Sequence, residues 1–494
     1  MLLKPPFLPG AYDKKIWYMS KSDVQGQILI IQRLTRIAGK MLPALIVDRV
    51  CSKLRDVRLL ELLKGGGISF SIRIAGLLLG YAFSLLIARK YGAQVMGGFT
   101  LFWALINILS ITGRLGLDLA LMKFTAICSV SGDFNSIRGI YLKCIKMALP
   151  SGILFSFALY FTSDFLAVNI FRNASLAQLF RIASLSVTPL ILIFINAEGL
   201  RGLKRIDAYA FISDGSFPFF GCIFFGLFVA FTQSELVPQV AYTASIFTVL
   251  VISFILWLNK IKSLRTTGDN RTEYREILDV AIPLLTSSSV AIIVGWTDRL
   301  MLGVFRLESE VGIYNIALKV SALTCFPLVA LNSIAAPLFA QFYARGDLIG
   351  LKRTAQNSTS MIFWSTMPLA LFFCLFPSFL MGIFGSEFKA GTTALLILVA
   401  GDTINATIGP VGYIMQMTGK QKTFRNLTLA TAAMNIALNL VMIPAYGLNG
   451  AAVSRTICLI ITNVVSLLLV RHYFGFYTVT PLSIFRFGRG NQTD

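Results

Sequence analysis

The sequence predicts an all-α, polytopic membrane protein of about twelve transmembrane helices, in two six-helix lobes around a central cavity. Three observations carry this. Apolar residues make up 56% of the 494, and mean hydropathy is +0.74. Charged residues make up only 14%, against roughly 25% in an average soluble domain. Apolar runs of the length needed to cross a bilayer, about 20 residues, recur along the chain.

Twelve such runs can be placed, at 68–88, 95–113, 147–163, 182–199, 208–231, 239–259, 278–302, 312–340, 359–384, 392–417, 424–444 and 448–470. Pro189, Pro218, Pro283, Pro327, Pro368 and Pro410 lie inside them. Proline removes a helical hydrogen bond, so each is a candidate kink. Lys and Arg set the orientation. With Arg299 and Arg425 counted in the loops they border, 34 of them fall on the face of the N-terminus and 7 on the other. The cation-rich face is therefore assigned to the cytoplasm, with both termini there and the chain in the cytoplasmic (inner) membrane. The same count accounts for the net charge of +21 as a topology signal and excludes nucleic acid as a partner. Anionic membrane lipids are the expected neighbours of this basic face.

The segment 260–277, within "KIKSLRTTGDNRTEYREIL" (260–278), is polar and turn-rich. It reads as a cytoplasmic linker between an N-lobe at 67–259 and a C-lobe at 278–472, followed by a cytoplasmic tail at 473–494. A weak echo relates the halves: Val95, Gly97 and Phe99 in one hairpin, Val311, Gly312 and Tyr314 in the other. Parallel half-repeats are a common transporter plan. Residues 1–66 form a basic cytoplasmic extension. Within it Ile30, Leu34, Ile37, Met41 and Leu45 share one helical stripe beside Arg33, Arg36 and Lys40. The alternatives are an amphipathic helix lying on the anionic leaflet and an unstructured basic arm.

The seven cysteines form no CxxC and read as apolar packing. A single histidine, His472, excludes a mechanism that needs two. Neither a metal box nor a cofactor motif is present, and no nucleophile–base pair points to an enzyme.

Charges at membrane depth are costly and mark function by default. The cations are Arg73 in the first span, Arg114 closing the second, Lys319 in the eighth and Arg455 in the twelfth. Guanidinium and ammonium groups suit phosphate or carboxylate. Arg73 and Lys319 are the best candidates for a positive cavity floor, if the first and eighth spans face one cleft. The bland alternative is snorkelling, or pairing with a local acid. Asp214, Asp298 and Asp402 are candidates for ion coupling or gating, the alternative being that they partner the buried cations. In "VGWTDRLMLGVF" (294–305), Asp298 and Arg299 are adjacent and point about 100° apart, so they do not pair with each other. The orientation count puts both near the non-cytoplasmic end of the seventh span, which reads as a gate or lobe contact.

Four stretches then carry a family resemblance: "LLIARKYGAQVMGGFTLFWAL" (85–105), "GWTDRLMLGVFRLESEVGIYNIALKV" (295–320), "AAPLFAQFYARGD" (335–347) and "IPAYGLNGAAVSRT" (443–456). Together they resemble the bacterial polysaccharide and O-antigen flippases, within the superfamily of multidrug, oligosaccharidyl-lipid and polysaccharide exporters. The resemblance implies two lobes opening alternately to each side. The substrate it implies is a polyprenyl-pyrophosphate-linked oligosaccharide unit for surface polysaccharide, and transport coupled to an ion gradient. It implies polysaccharide polymerase and export proteins as further partners, and no cofactor. Arg73 and Lys319 occupy spans that supply cavity cations in the lipid-linked precursor flippases; Arg455 has no such support. The rival readings are a multidrug or small-cation antiporter of the same fold and a membrane glycosyl polymerase. A cation exporter calls for acids unopposed by Arg73 and Lys319. A polymerase calls for a larger outer loop than 164–181.

Overall fold

The computed structural model describes residues 57–131, 133–262 and 273–479, with side chains from residue 69 onward except at 286–294. The stripe at 30–45 lies outside these residues, as do most of the linker and of the tail. From Ser69 onward the described residues form one compact unit. The elements formed by the described residues are all helices, without a strand.

Nine of these helices are long and apolar enough to cross a membrane. Two of the nine each hold two spans, Val57–Gly113 and Gln421–Phe474, broken by glycines of positive φ at Gly92 (81°) and Gly447 (57°). Tyr274–Phe305 adds the seventh span at 32 residues. All twelve runs therefore fall mainly on helices, 359–384 being interrupted at Phe376 and 392–417 at Gly409 and Pro410. Large apolar side chains such as Leu78, Phe161, Val251, Leu371 and Val441 point outward. That suits a bilayer, where an apolar exterior costs nothing and every backbone polar group must be satisfied within the helix.

Span ends differ from the hydropathy reading. The third span starts at Phe134, where the Asp133 side chain accepts the Ser136 backbone N–H at the N-cap. The ninth runs Leu348–Leu375, capped likewise by Asp347 to Gly350 N. These polar first turns project from the apolar run, so hydropathy alone places the ends too late. A helix also lies where a loop was expected, Leu117–Ser131 between the second and third spans.

Pro189, Pro283 and Pro368 lie inside continuous helices. Pro218 follows a π-helical turn at Phe211–Gly215, Pro327 follows a 3₁₀ turn at Leu323–Cys325, and Pro410 follows Gly409 at φ 83°. The sharp reversals belong to glycine, since only glycine takes these backbone conformations without strain.

Spans before the linker pack mainly on one another, the third on the fourth, the fourth on the sixth and the fifth on the sixth. Spans after it do likewise, the seventh and tenth on Gln421–Phe474 and the eighth on the ninth. Leu117–Ser131 crosses the division and packs on the seventh span. The two sets also meet at the cation-poor face. There Ala93 N donates to Glu387 Oε2 at 2.9 Å, Arg89 Nε donates to the Ile383 carbonyl at 2.5 Å, and Asn173 Nδ2 donates to Glu308 Oε1. The backbones touch there too: a Cβ on Gly97 would collide with the Glu308 carbonyl, and one on Gly312 with that of Ala93.

Candidate functional site

Lys319 lies on the eighth span and reaches the first. Its ammonium donates to Ser84 Oγ at 2.5 Å, while Tyr81 OH donates back to the Lys319 carbonyl. Ser84 is itself bonded to the Gly80 carbonyl at 2.9 Å, one turn earlier. The ammonium therefore sits between the two sets of spans, held by the Ser84 hydroxyl, which the first-span backbone orients in turn. No acid lies within ion-pair distance of it among the described residues.

One further cation, Arg299, is within electrostatic reach of Lys319. Arg299 repels Lys319, and Arg455 repels Arg299 in turn. Arg299 lies over the Trp296 ring at 4.4 Å, and its Nη1 donates to the Gly295 carbonyl at 3.0 Å. Its Nε is buried without a hydrogen-bond partner. A cation held by an aromatic face and a carbonyl keeps its charge available to a further anion. Seventh, eighth and twelfth spans thus bring three cations together, one of which touches the first span.

Asp298 answers the cations from the interior. It is 3% exposed and accepts from Asn439 Nδ2 at 2.8 Å and Tyr314 OH at 3.2 Å, with Arg455 Nη1 at 3.9 Å. Asn439 also donates to Asn435 Oδ1, one turn back on the eleventh span. All these partners belong to the eighth, eleventh and twelfth spans. Asp298 was expected at a gate or lobe contact; its partners instead lie wholly within the second set. Asp402 is buried on the tenth span, within electrostatic range of Arg455. Among the described residues no three His, Cys, Asp or Glu cluster as metal ligands.

The other two cations take acid partners. Arg73 Nε pairs with Asp214 Oδ2 at 3.3 Å, on the π-helical turn of the fifth span. First and fifth spans touch there, since a Cβ on Gly76 would meet the Asp214 carbonyl. Arg114 is buried, pairs with Asp118 at 3.0 Å and covers the Phe194 ring at 4.2 Å. Arg73 and Lys319 do not form one floor. The Lys319 contact, Ser84, lies eleven residues from Arg73 along one helix, about 16 Å of rise.

Several site residues escaped sequence reasoning. Tyr81 and Ser84 carry no charge and resemble ordinary helix surface. Asn435 and Asn439 had a readable signal, two amides at i, i+4 in the apolar run "MNIALNL". Glu308 and Glu387 lie between the apolar runs of the sequence, where charge is unremarkable.

Comparison with known proteins agrees with this architecture. A family model described as "Polysaccharide biosynthesis protein" matches residues 62–343, and one described as MatE matches 283–441. The "Probable low-salt glycan biosynthesis flippase Agl15" of Haloferax volcanii is 25% identical over 392 residues, 76% of each chain. Among solved structures, an inward-facing multidrug resistance MATE family transporter of the MOP superfamily superposes with a TM-score of 0.68. It is 14% identical, over 83% of this chain and 98% of its own. The lipid II flippase MurJ in an inward closed conformation gives 0.64 at 14% identity, over 83% and 87%. At that identity the structures speak to the fold alone.

Proposed function

The chain belongs to the polysaccharide biosynthesis protein family and is a multi-pass membrane transporter; from that premise we propose that it is a flippase for a polyprenyl-pyrophosphate-linked oligosaccharide unit. The reading places it in the cytoplasmic membrane, with both termini in the cytoplasm and two lobes, divided at 260–277, working by alternating access. The observation that carries the reading is the ammonium of Lys319 between the two sets of spans, with Arg299 and Arg455 behind it. A pyrophosphate head cannot cross hydrocarbon unaided, because an unpaired anion there carries a large desolvation penalty. Cations between the two sets lower that penalty while the prenyl tail stays in lipid. The relative named as a glycan biosynthesis flippase supports the same substrate class.

Asp298, with Asn435, Asn439 and Tyr314 around it, is the proposed ion-coupling site, with Asp402 as a second acid on the same cation, Arg455. Arg455 lies 3.9 Å from Asp298, so the proposed coupling acid adjoins the cations proposed to meet the substrate. Polymerase and export proteins are the proposed onward partners of the flipped glycan. A small-cation antiporter is the less suitable reading, since a cationic cargo would meet Lys319 and Arg299 on its path.

The test is export of surface glycan in cells that depend on this chain. Lys319→Ala is expected to abolish export while the protein stays in the membrane. Undiminished export by a Lys319→Ala, Arg299→Ala double variant would overturn the reading.

A further inference from the structure

A second cationic site lies wholly within the first set of spans, away from Lys319. A cavity of about 710 Å³ is lined by Arg73, Lys123, Arg201, Lys204 and Tyr209, with an apolar wall that includes Ile127. It opens at the face that the charge count gives to the cytoplasm. Four elements build it: the first span, the helix Leu117–Ser131, the end of the fourth span and the start of the fifth.

The charge count there is simple. Arg73 is balanced by Asp214 at 3.3 Å and Arg201 by Glu198 at 3.3 Å. The neighbouring Arg205 is balanced by Asp207 at 2.9 Å and Arg114 by Asp118 at 3.0 Å. Lys123 and Lys204 have no acid within ion-pair distance among the described residues, so two positive charges are left over. Arg201 is fixed in place by Glu198 and by the Tyr209 ring, 5.0 Å from its guanidinium. Lys204 has φ of 61°, a left-handed conformation that glycine would adopt without strain, yet the chain places a lysine there.

The wall identifies the ligand class. Ile127 is 56% exposed and Ile206 42% exposed, side by side with the cations. A small soluble anion needs the cations and gains nothing from this wall. A lipid phosphate uses both, its headgroup on the lysines and the first methylenes of its chain on the isoleucines. We propose that this cavity binds the phosphate headgroup of a membrane lipid, either a bulk anionic phospholipid or a polyprenyl phosphate carrier. Binding here is independent of whether Lys319 handles a glycan substrate, so the two readings fail separately.

The experiment is native mass spectrometry of the full-length protein released from detergent micelles with one added lipid at a time. The probes are phosphatidic acid, a polyprenyl phosphate and phosphatidylcholine, each repeated with inorganic phosphate as competitor. Both phosphate monoesters are expected to bind, and Lys123→Gln with Lys204→Gln to weaken them about tenfold or more. Lys123→Arg with Lys204→Arg is expected to keep binding, which separates lost charge from lost fold. Lys204→Gly, which relaxes the backbone while removing a charge, is expected to melt no lower than the parent and to bind more weakly. Preference for the polyprenyl phosphate makes the carrier the occupant; equal affinity makes it bulk lipid. Unchanged affinity in the glutamine variant overturns the proposal. So does phosphatidylcholine binding as tightly as phosphatidic acid, or inorganic phosphate displacing the lipids as effectively as a lipid does.

Discussion

Glu387 accepts the backbone N–H of Ala93 at 2.9 Å, although 294 residues separate them. Ala93 follows the Gly92 reversal that joins the first two spans, so the carboxylate caps the start of the second span from the other half of the chain. A second glutamate does the same at the second glycine reversal: Glu310 accepts the N–H of Leu448, the residue after Gly447, at 3.0 Å. The chemistry is identical, a carboxylate on the free N–H groups and positive dipole end of a helix start. The consequence differs, because Glu387 bridges the two sets of spans and Glu310 lies within one.

Glu387→Ala is therefore expected to loosen the contact between the halves at the cation-poor face. At this exposed position the bond contributes about 1 kcal/mol, a shift of roughly fivefold in the population of the closed arrangement. Spin labels at Arg172 and Lys389, both exposed on that face, would report it as a gain of longer distances. Glu310→Ala is expected to leave those distances unchanged and to lower the melting temperature instead. Equal behaviour of the two variants would remove the latch role from Glu387.

Gly92→Ala tests the reversal itself. Gly92 has φ 81° and ψ −171°, a region open to glycine almost alone, and an added Cβ would sit 3.1 Å from Glu387 Oε2. The strain is of order 1–3 kcal/mol, so a clear loss of thermal stability is expected. Gly80→Ala, on the same helix with nothing within 4 Å of its added Cβ, is expected to be neutral or to stabilise by about 0.5–1 kcal/mol. If both lower the melting temperature alike, the backbone at Gly92 is not the constraint.

Much of this fold is legible in the sequence because bilayer crossing imposes one strong, local demand, an apolar run of fixed length. The reversals at Gly92 and Gly447 are less legible, since most glycines in apolar helices only allow close packing. The site divides in the same way. Lys319 stands out because an ammonium in apolar sequence is conspicuous wherever it points. What holds it does not: Tyr81 and Ser84 matter only because the first span lies against the eighth, a contact between residues 238 and 235 positions away. Arg73 and Arg114 show the converse. Each looked as conspicuous as Lys319, and each turns out to have an acid beside it, Asp214 across a helix contact and Asp118 one turn along.

Asp298→Asn removes the charge and keeps the shape. Tyr314 OH can still donate to the amide oxygen, but the Asn439 amide at 2.8 Å then faces a group that is itself half donor. Arg455 also loses the carboxylate at 3.9 Å. Loss of a hydrogen bond to a charged group predicts a destabilisation of about 1.5–3 kcal/mol. If Asp298 is the coupling site, transport by this variant is expected to lose its dependence on the ion gradient. Retained gradient dependence in a folded variant would move the coupling role to Asp402.

Arg114 and Asp118 supply the sharpest division between a binding cation and a structural one. They are 8% and 7% exposed, pair at 3.0 Å, and the guanidinium covers Phe194. Arg114→Leu alone strands a buried carboxylate, and breaking such a pair from one side costs about 3–5 kcal/mol. Arg114→Leu with Asp118→Leu removes both charges together, an exchange that is often neutral. The single variant is therefore expected to accumulate poorly, and the double variant to recover both membrane level and glycan export. Recovered level without export would give the Arg114–Asp118 pair a direct part in transport, because folding would then be intact and only the two charges missing.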